Sequence, residues 1–133
     1  MLSKAQRRRN NFATGARAEN QALHFLENRN YSILERNLQI NKFEIDLIAF
    51  DQKRKEVVFV EVKARKNKQF GDPSQAVDWR KRQKLQLAAK LYLRFHNWQK
   101  PYRFDIITVI GGQKAPQGEE NTPLIAHYQN ISW

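Results

Sequence analysis

The chain has no cysteine among its 133 residues, which excludes disulfide frameworks, thiolate zinc sites and cysteine nucleophiles and is compatible with a reducing compartment. Long apolar stretches are missing too. No uninterrupted aliphatic or aromatic run exceeds four residues, as in Val57–Val60, and the N-terminal MLSKAQRRR has no apolar signal core. The expectation is a cytoplasmic protein that does not enter membranes. Histidine is sparse, and His24, His96 and His127 are too scattered in sequence to form a ligand motif, so no histidine metal site is expected. Acids are few: 13 Asp and Glu stand against 24 Lys and Arg, giving a net charge of +11 and a pI near 10.2. That excess favours a polyanionic partner, nucleic acid first. The plainer reading is solubility, but the charge is concentrated: Lys4, Arg7, Arg8 and Arg9 occur with no acid in the first ten residues.

What is present suits one ordinary folded domain, with 41% hydrophobic and 28% charged residues and no internal repeat. A basic N-terminal arm over 1–13 precedes a single domain over 14–133. Thr14 is a candidate N-cap for the helix TGARAENQALHFLENRN, whose stripe holds Ala16, Glu19, Ala22, Leu23 and Leu26. Strands are expected at Tyr31–Leu38, Lys42–Phe50 and Glu56–Arg65. Asp72-Pro73-Ser74 reads as entry to a long helix with Leu85, Ala88, Tyr92 and Phe95 on one side. Arg103–Ile110 and Leu124–Ile131 complete the strands, and Gly111–Pro123 reads as a long loop. The fold class is α/β, a mixed β-sheet flanked by helices.

The third strand, EVVFVEVKAR, fills one face with Val57 and Phe59 and then places Glu61 and Lys63 on it. A hairpin turning about 53 and 54 sets Phe50 opposite Val57, Ile48 opposite Phe59, Asp46 opposite Glu61 and Glu44 opposite Lys63. Apolar partners meet, and so do two carboxylates, which repel. A divalent cation resolves that repulsion, since Mg²⁺ commonly takes one or two carboxylates and leaves positions for water and phosphate. Lys63 is then placed to orient or deprotonate a water, a complete set for phosphodiester hydrolysis. Glu19, an acid in an apolar helical stripe, is a third or water-mediated ligand, or else an exposed residue at the stripe's edge. The bland alternative makes Asp46, Glu61 and Lys63 a salt-bridged polar rim, and Glu44 a cross-strand partner of Lys63.

Arg65, Lys66 and Lys68 follow this strand, and Arg80, Lys81, Arg82 and Lys84 open the long helix. Both groups are candidates to neutralise phosphates along one groove, against the alternative of a solvated helix face. Trp79 and Phe70 are candidates to stack on unpaired bases, or core residues. Asn37 and Asp105 read as turn or strand-end residues outside the site.

A helical Glu, an Asp on one strand and Glu-x-Lys on the next resemble the PD-(D/E)xK nuclease superfamily. GARAENQALHFL, ERN with FEIDLIAFD, VVFVEVKAR, FGDP and PYRFDIITV further resemble the successive blocks of the YraN family of small bacterial proteins. The resemblance implies a restriction endonuclease-like core with Glu19, Asp46, Glu61 and Lys63 in the active-site positions. The chain departs from the superfamily signature at Ile45, where proline precedes the acid, and from the family pattern at Phe43 and Ala64, where glycine and threonine are usual. The resulting expectation is a Mg²⁺- or Mn²⁺-dependent nuclease acting on DNA, branched or single-stranded. A non-catalytic nucleic-acid-binding protein is the alternative, and a subunit that forms a homodimer through its sheet edge a third reading.

Overall fold

Helical periodicity in the first thirty residues, then three apolar-rich strands separated by polar turns, build the first half of the fold. A computed structural model describes residues 4–65, 78–111 and 122–131, with side chains from Gly15 onward in the first helix. The elements in chain order are α1 (Lys4–Glu27), β1 (Tyr31–Ile40), β2 (Phe43–Asp51), β3 (Glu56–Arg65), α2 (Trp79–Phe95), β4 (Tyr102–Ile110) and β5 (Leu124–Tyr128). They form a single α/β domain around a five-stranded sheet ordered β1-β2-β3-β4-β5. All neighbours are antiparallel except β3 and β4, which run parallel. A parallel pair needs a crossover, and α2 supplies it. The arrangement is compatible with a restriction endonuclease-like core.

The two helices cover opposite faces. Ala18, Ala22 and Leu26 of α1 pack with Leu47, Ala49, Val58, Val60, Ile107 and Val109. Leu85, Ala88, Ala89, Tyr92 and Leu93 of α2 pack with Ile45, Ile48, Val57, Phe59 and Ile106. A strand buried on both faces has no polar alternation, which is why LIAF and VVFV read as continuous apolar runs. Several expected boundaries shift. Helix α1 starts at Lys4, so Thr14 is interior rather than an N-cap, and the buried stripe runs through Ala18 instead of Ala16. Helix α2 starts at Trp79, capped by Asp78, whose side chain accepts the Lys81 N–H at 2.8 Å. Phe95, expected on the packed side, is 84% exposed: it keeps the spacing of Leu85, Ala88 and Tyr92 but is the last residue of α2 and lies outside the cluster they form. Asp72-Pro73-Ser74, Phe70, Lys66 and Lys68 lie outside the described residues, as does most of the Gly111–Pro123 loop.

One irregularity opens the sheet where the acids are. The β2–β3 register pairs Phe50 with Val57 and Ile48 with Phe59 as expected, and its last pair is Leu47 with Val60. Beyond it Ile45 joins the α2-side core although Leu47, two residues away, faces α1. Strict alternation would put both on one face, so β2 rotates about Asp46. Strand β1 turns with it: Asn37 takes a left-handed φ of 49° between Arg36, paired with Leu47, and Leu38, paired with Ile45. Asparagine tolerates that conformation better than most residues. Asp46 is therefore not held in the ladder opposite Glu61, as a regular hairpin would place it. Its Oδ2 instead accepts the Val62 N–H at 2.9 Å, satisfying a donor in the strand beyond the last hairpin pair.

Candidate active site

Glu61 sits at the centre of the opened end. Its side chain is 2% exposed, and its Oε1 accepts from the ammonium groups of Lys63, at 3.3 Å, and Lys81. Its Oε2 is buried with no hydrogen-bond partner. Leaving a buried carboxylate oxygen unpaired is costly, and such groups call for an explanation. The other unpartnered buried side-chain atom among the described residues is Thr108 Oγ1. Thr108 stands in register with Lys63 across the parallel β3–β4 pair. Ile106, two residues earlier, packs on the α2 side, so Thr108 faces that side too.

The charges around Glu61 shift each other. Burial, then the negative charge of Glu61, push Asp46 up to about 7, against the opposing Val62 N–H and Lys81. Burial pulls Lys63 down, and Lys81 reinforces this against the attraction of Glu61. Burial also disfavours the Lys81 ammonium, but Glu61 and Asp46 outweigh it and the net shift is upward. The two lysines share one carboxylate yet move apart, because Lys81 is the closer partner. Glu19 approaches from α1: burial raises its carboxyl, Asn37 hydrogen-bonds it, and Arg36 lies 3.9 Å away.

Asp46 and Lys81 also line a cleft of about 360 Å³, whose wall carries the cations Lys42, Arg80 and Lys84, the acids Glu44 and Asp78, and Phe43 and Leu85. Of the residues expected to meet phosphates, Arg80, Lys81 and Lys84 thus face one opening, whereas Arg82 does not line it. The guanidinium of Arg65 donates to its neighbour's carbonyl, Ala64 O, at 3.1 Å. Trp79 is 66% exposed at the start of α2.

Sequence reasoning placed Lys81 among phosphate contacts and missed its pairing with Glu61. No local pattern signals it, because the Lys81 ammonium reaches Glu61 only through the crossover of α2. Asn37, expected as a turn or strand-end residue, turns β1 through its left-handed backbone and hydrogen-bonds Glu19. Thr108 was invisible because the β3–β4 register depends on the crossover rather than on a hairpin sum.

The donor chemistry fits a hard divalent cation. Two carboxylates, one with an unpaired buried oxygen, match the one or two that Mg²⁺ takes from proteins. Among the described residues no three His, Cys, Asp or Glu side chains gather closely enough to hold an ion together. Direct protein ligands would thus come from Asp46 and Glu61, with Glu19 in support from α1.

A second buried network lies on the opposite, α1-covered face of the sheet, centred towards the β2–β3 turn. Arg103 donates to Asp51 Oδ2 at 2.9 Å, to Asp105 Oδ1 at 3.0 Å and to the Tyr31 hydroxyl at 2.8 Å. Asp105 also accepts the Asn130 N–H at 2.9 Å, and its Oδ2 lies 2.7 Å from His127 Nε2. Asp51 Oδ1 takes the N–H groups of Lys53 and Arg54 at the β2–β3 turn. The sequence reading left Asp105 outside the active site, and the structure puts it in this structural network.

Fold and site together define a small α/β protein with an acid–lysine cluster at the open end of a mixed sheet. The chain belongs to the uncharacterised protein family UPF0102, the YraN family, whose model matches residues 18–109. It is 41% identical to a UPF0102 protein of Cytophaga hutchinsonii over 73% of this chain and 84% of that one. A UPF0102 protein of Bacteroides thetaiotaomicron is 43% identical over 73% of this chain and 78% of its own length. One from Lawsonia intracellularis is 39% identical over 88% and 83%. Among the described residues, no helix is long and apolar enough to cross a membrane.

Proposed function

We propose that the protein is a Mg²⁺- or Mn²⁺-dependent nuclease that hydrolyses phosphodiester bonds in DNA. The observation that carries this reading is the buried Glu61 with an unpartnered oxygen, set beside Asp46, two lysines and a cleft of mixed charge whose wall includes Arg80 and Lys84. A protein core would not ordinarily keep such a group, whereas a binding site for a cation does.

In this reading Asp46 and Glu61 would hold the cation, and Glu19 would support it from α1. When bound, the cation supplies Lewis acidity and neutralises charge at the phosphate. Lys63, whose pKa is lowered by burial, orients the attacking water and is poised to take its proton. Arg80 and Lys84 at the cleft neutralise flanking phosphates and fix the backbone without reading bases. The exposed Trp79 ring in the first turn of α2 offers a face for an unpaired base, which favours branched or single-stranded DNA over intact duplex.

A second reading has its own support. Lys63 and Lys81 already neutralise Glu61, as they would in a non-catalytic nucleic-acid-binding protein. Incubation with branched, single-stranded and duplex DNA in Mg²⁺ or Mn²⁺ separates the two. Cleavage that falls at least about a hundredfold in Glu61→Gln and Lys63→Ala is expected. Salt-sensitive binding without cleavage of any substrate would leave the binding protein standing instead.

A further inference from the structure

The proposed site contains one more cation than its chemistry needs. Lys63 belongs to the same strand face as Glu61 and stays beside it whatever α2 does. Lys81 comes from a different element, and its ammonium lies on Glu61 Oε1. Its side chain is 41% exposed and also forms part of the wall of the cleft. The backbone of the residue is fixed, since Asp78 caps its N–H at 2.8 Å and Asp78 O accepts the Arg82 N–H at 2.9 Å. What remains free to move is the four-carbon stem, which carries a compact, strongly hydrated point charge.

Charge balance then decides where Lys81 goes. When ionised, Asp46 and Glu61 bring two negative charges, matched by Lys63 and Lys81, while Glu19 is balanced by Arg36 at 3.9 Å. A divalent cation on the two carboxylates would leave an excess of two positive charges packed within a partly buried cluster. Like charges that close repel strongly at the low effective dielectric of such a site. Either an anion must enter or a lysine must leave, and the cleft beside Lys81 allows both at once.

Resting on the nuclease reading, we propose that Lys81 is an exchangeable counter-ion. It occupies the carboxylates while the cleft is empty and passes to a substrate phosphate in the cleft when Glu61 takes a divalent cation. Lys81 thus competes with the cation when substrate is absent and assists it when substrate is present. The cation and the phosphodiester bind cooperatively, and by linkage each tightens the other by the same factor.

Isothermal titration of Mn²⁺ into the full chain tests this, with and without a single-stranded phosphorothioate oligonucleotide that resists cleavage. In the wild type the oligonucleotide should tighten Mn²⁺ binding by about fivefold or more. Lys81→Gln and Lys81→Met should each bind Mn²⁺ alone more tightly than the wild type, and should lose most of the gain from the oligonucleotide. Circular dichroism of both variants establishes that α2 is intact. If Mn²⁺ binds the wild type and is lost in Glu61→Gln, but the Lys81 variants bind it no more tightly, the exchange is overturned and the metal site survives. If neither the wild type nor the Lys81 variants bind Mn²⁺, the exchange and the nuclease reading fall together.

Discussion

Two clusters of charge are buried on opposite faces of the sheet, one centred towards the β2–β3 turn end and one towards the opened end, and they are finished to different degrees. Around Arg103 the hydrogen-bonding capacity is used: Asp51, Asp105 and Tyr31 accept from the guanidinium, and His127 and the Asn130 amide complete Asp105. Burial would raise Asp51, but Arg103 and the turn amides of Arg54 and Lys53 together hold it below the usual carboxylate range. Around Glu61 the balance tips the other way, because one oxygen has no partner and burial raises Asp46. A satisfied network ties strands together; an unsatisfied one carries a desolvation cost that a bound ligand would offset. The Arg103 cluster fastens β1, β2, β4 and β5 to one another, while the Glu61 cluster lies where β2 has left β3.

The sharpest way to break this contrast is to remove one member from each end. Arg103→Met strands Asp51 and Asp105 as buried acids, and urea unfolding should show a loss of about 3–5 kcal/mol. Metal binding should persist in whatever fraction stays folded. Proton linkage supplies the next largest difference. Below the ordinary carboxylate value of 3.8 Asp46 is protonated in both the folded and the unfolded chain, so it contributes nothing there. As pH rises from 3.8 towards about 7, the unfolded chain releases this proton first, and the folded state loses its relative advantage. In metal-free protein, Asp46→Asn should remove that decline, giving a gain on the order of 4 kcal/mol at pH 8. Asp51 has the opposite sign. Its contribution is present above the unfolded value of 3.8 and is lost as pH falls through the lower folded value, so Asp51→Asn should blunt acid denaturation.

A somewhat smaller effect tests which end receives a ligand. Mn²⁺ at a hundred times its Kd should stabilise the wild type by about 2.7 kcal/mol, read as a rise in Tm. Glu61→Gln should abolish the rise, while Tyr31→Phe, which removes one acceptor from the Arg103 cluster, should leave it intact. A rise lost equally in both variants would mean that the two ends do not differ in this way.

Much of this was legible in the sequence, for local reasons. The register of β2 with β3 follows from apolar pairing about one turn, and the Glu61–Lys63 face follows from the period of a strand. What escaped are features set by elements remote in sequence. Lys81 reaches Glu61 only because α2 crosses back over the sheet, and Thr108 meets Lys63 only because β4 is parallel to β3. The rotation of β2 at Asp46 also breaks the period-2 pattern that made the rest readable. Its one sequence trace is Asn37, an asparagine inside a strand, where β propensity is poor and a left-handed φ is tolerated.

Helix capping provides the finest test of the comparison. At the Arg103 end the positions come from the strand ladder itself, whereas Lys81 is positioned by the first turn of α2, where the side chain of Asp78 accepts its N–H. Asp78→Ala removes that acceptor and should leave the core packing of Leu85 and Ala88 in place. The expected result is a small drop in Tm, loss of hydrogen-exchange protection at the Lys81 amide, and unchanged protection in β4 around Arg103. Because the loosened turn holds Lys81 on Glu61 less firmly, Mn²⁺ binding should move in the direction of Lys81→Gln, by a smaller factor. Weaker Mn²⁺ binding in Asp78→Ala would mean that the first turn supports the metal site itself, and that Lys81 does not compete for it.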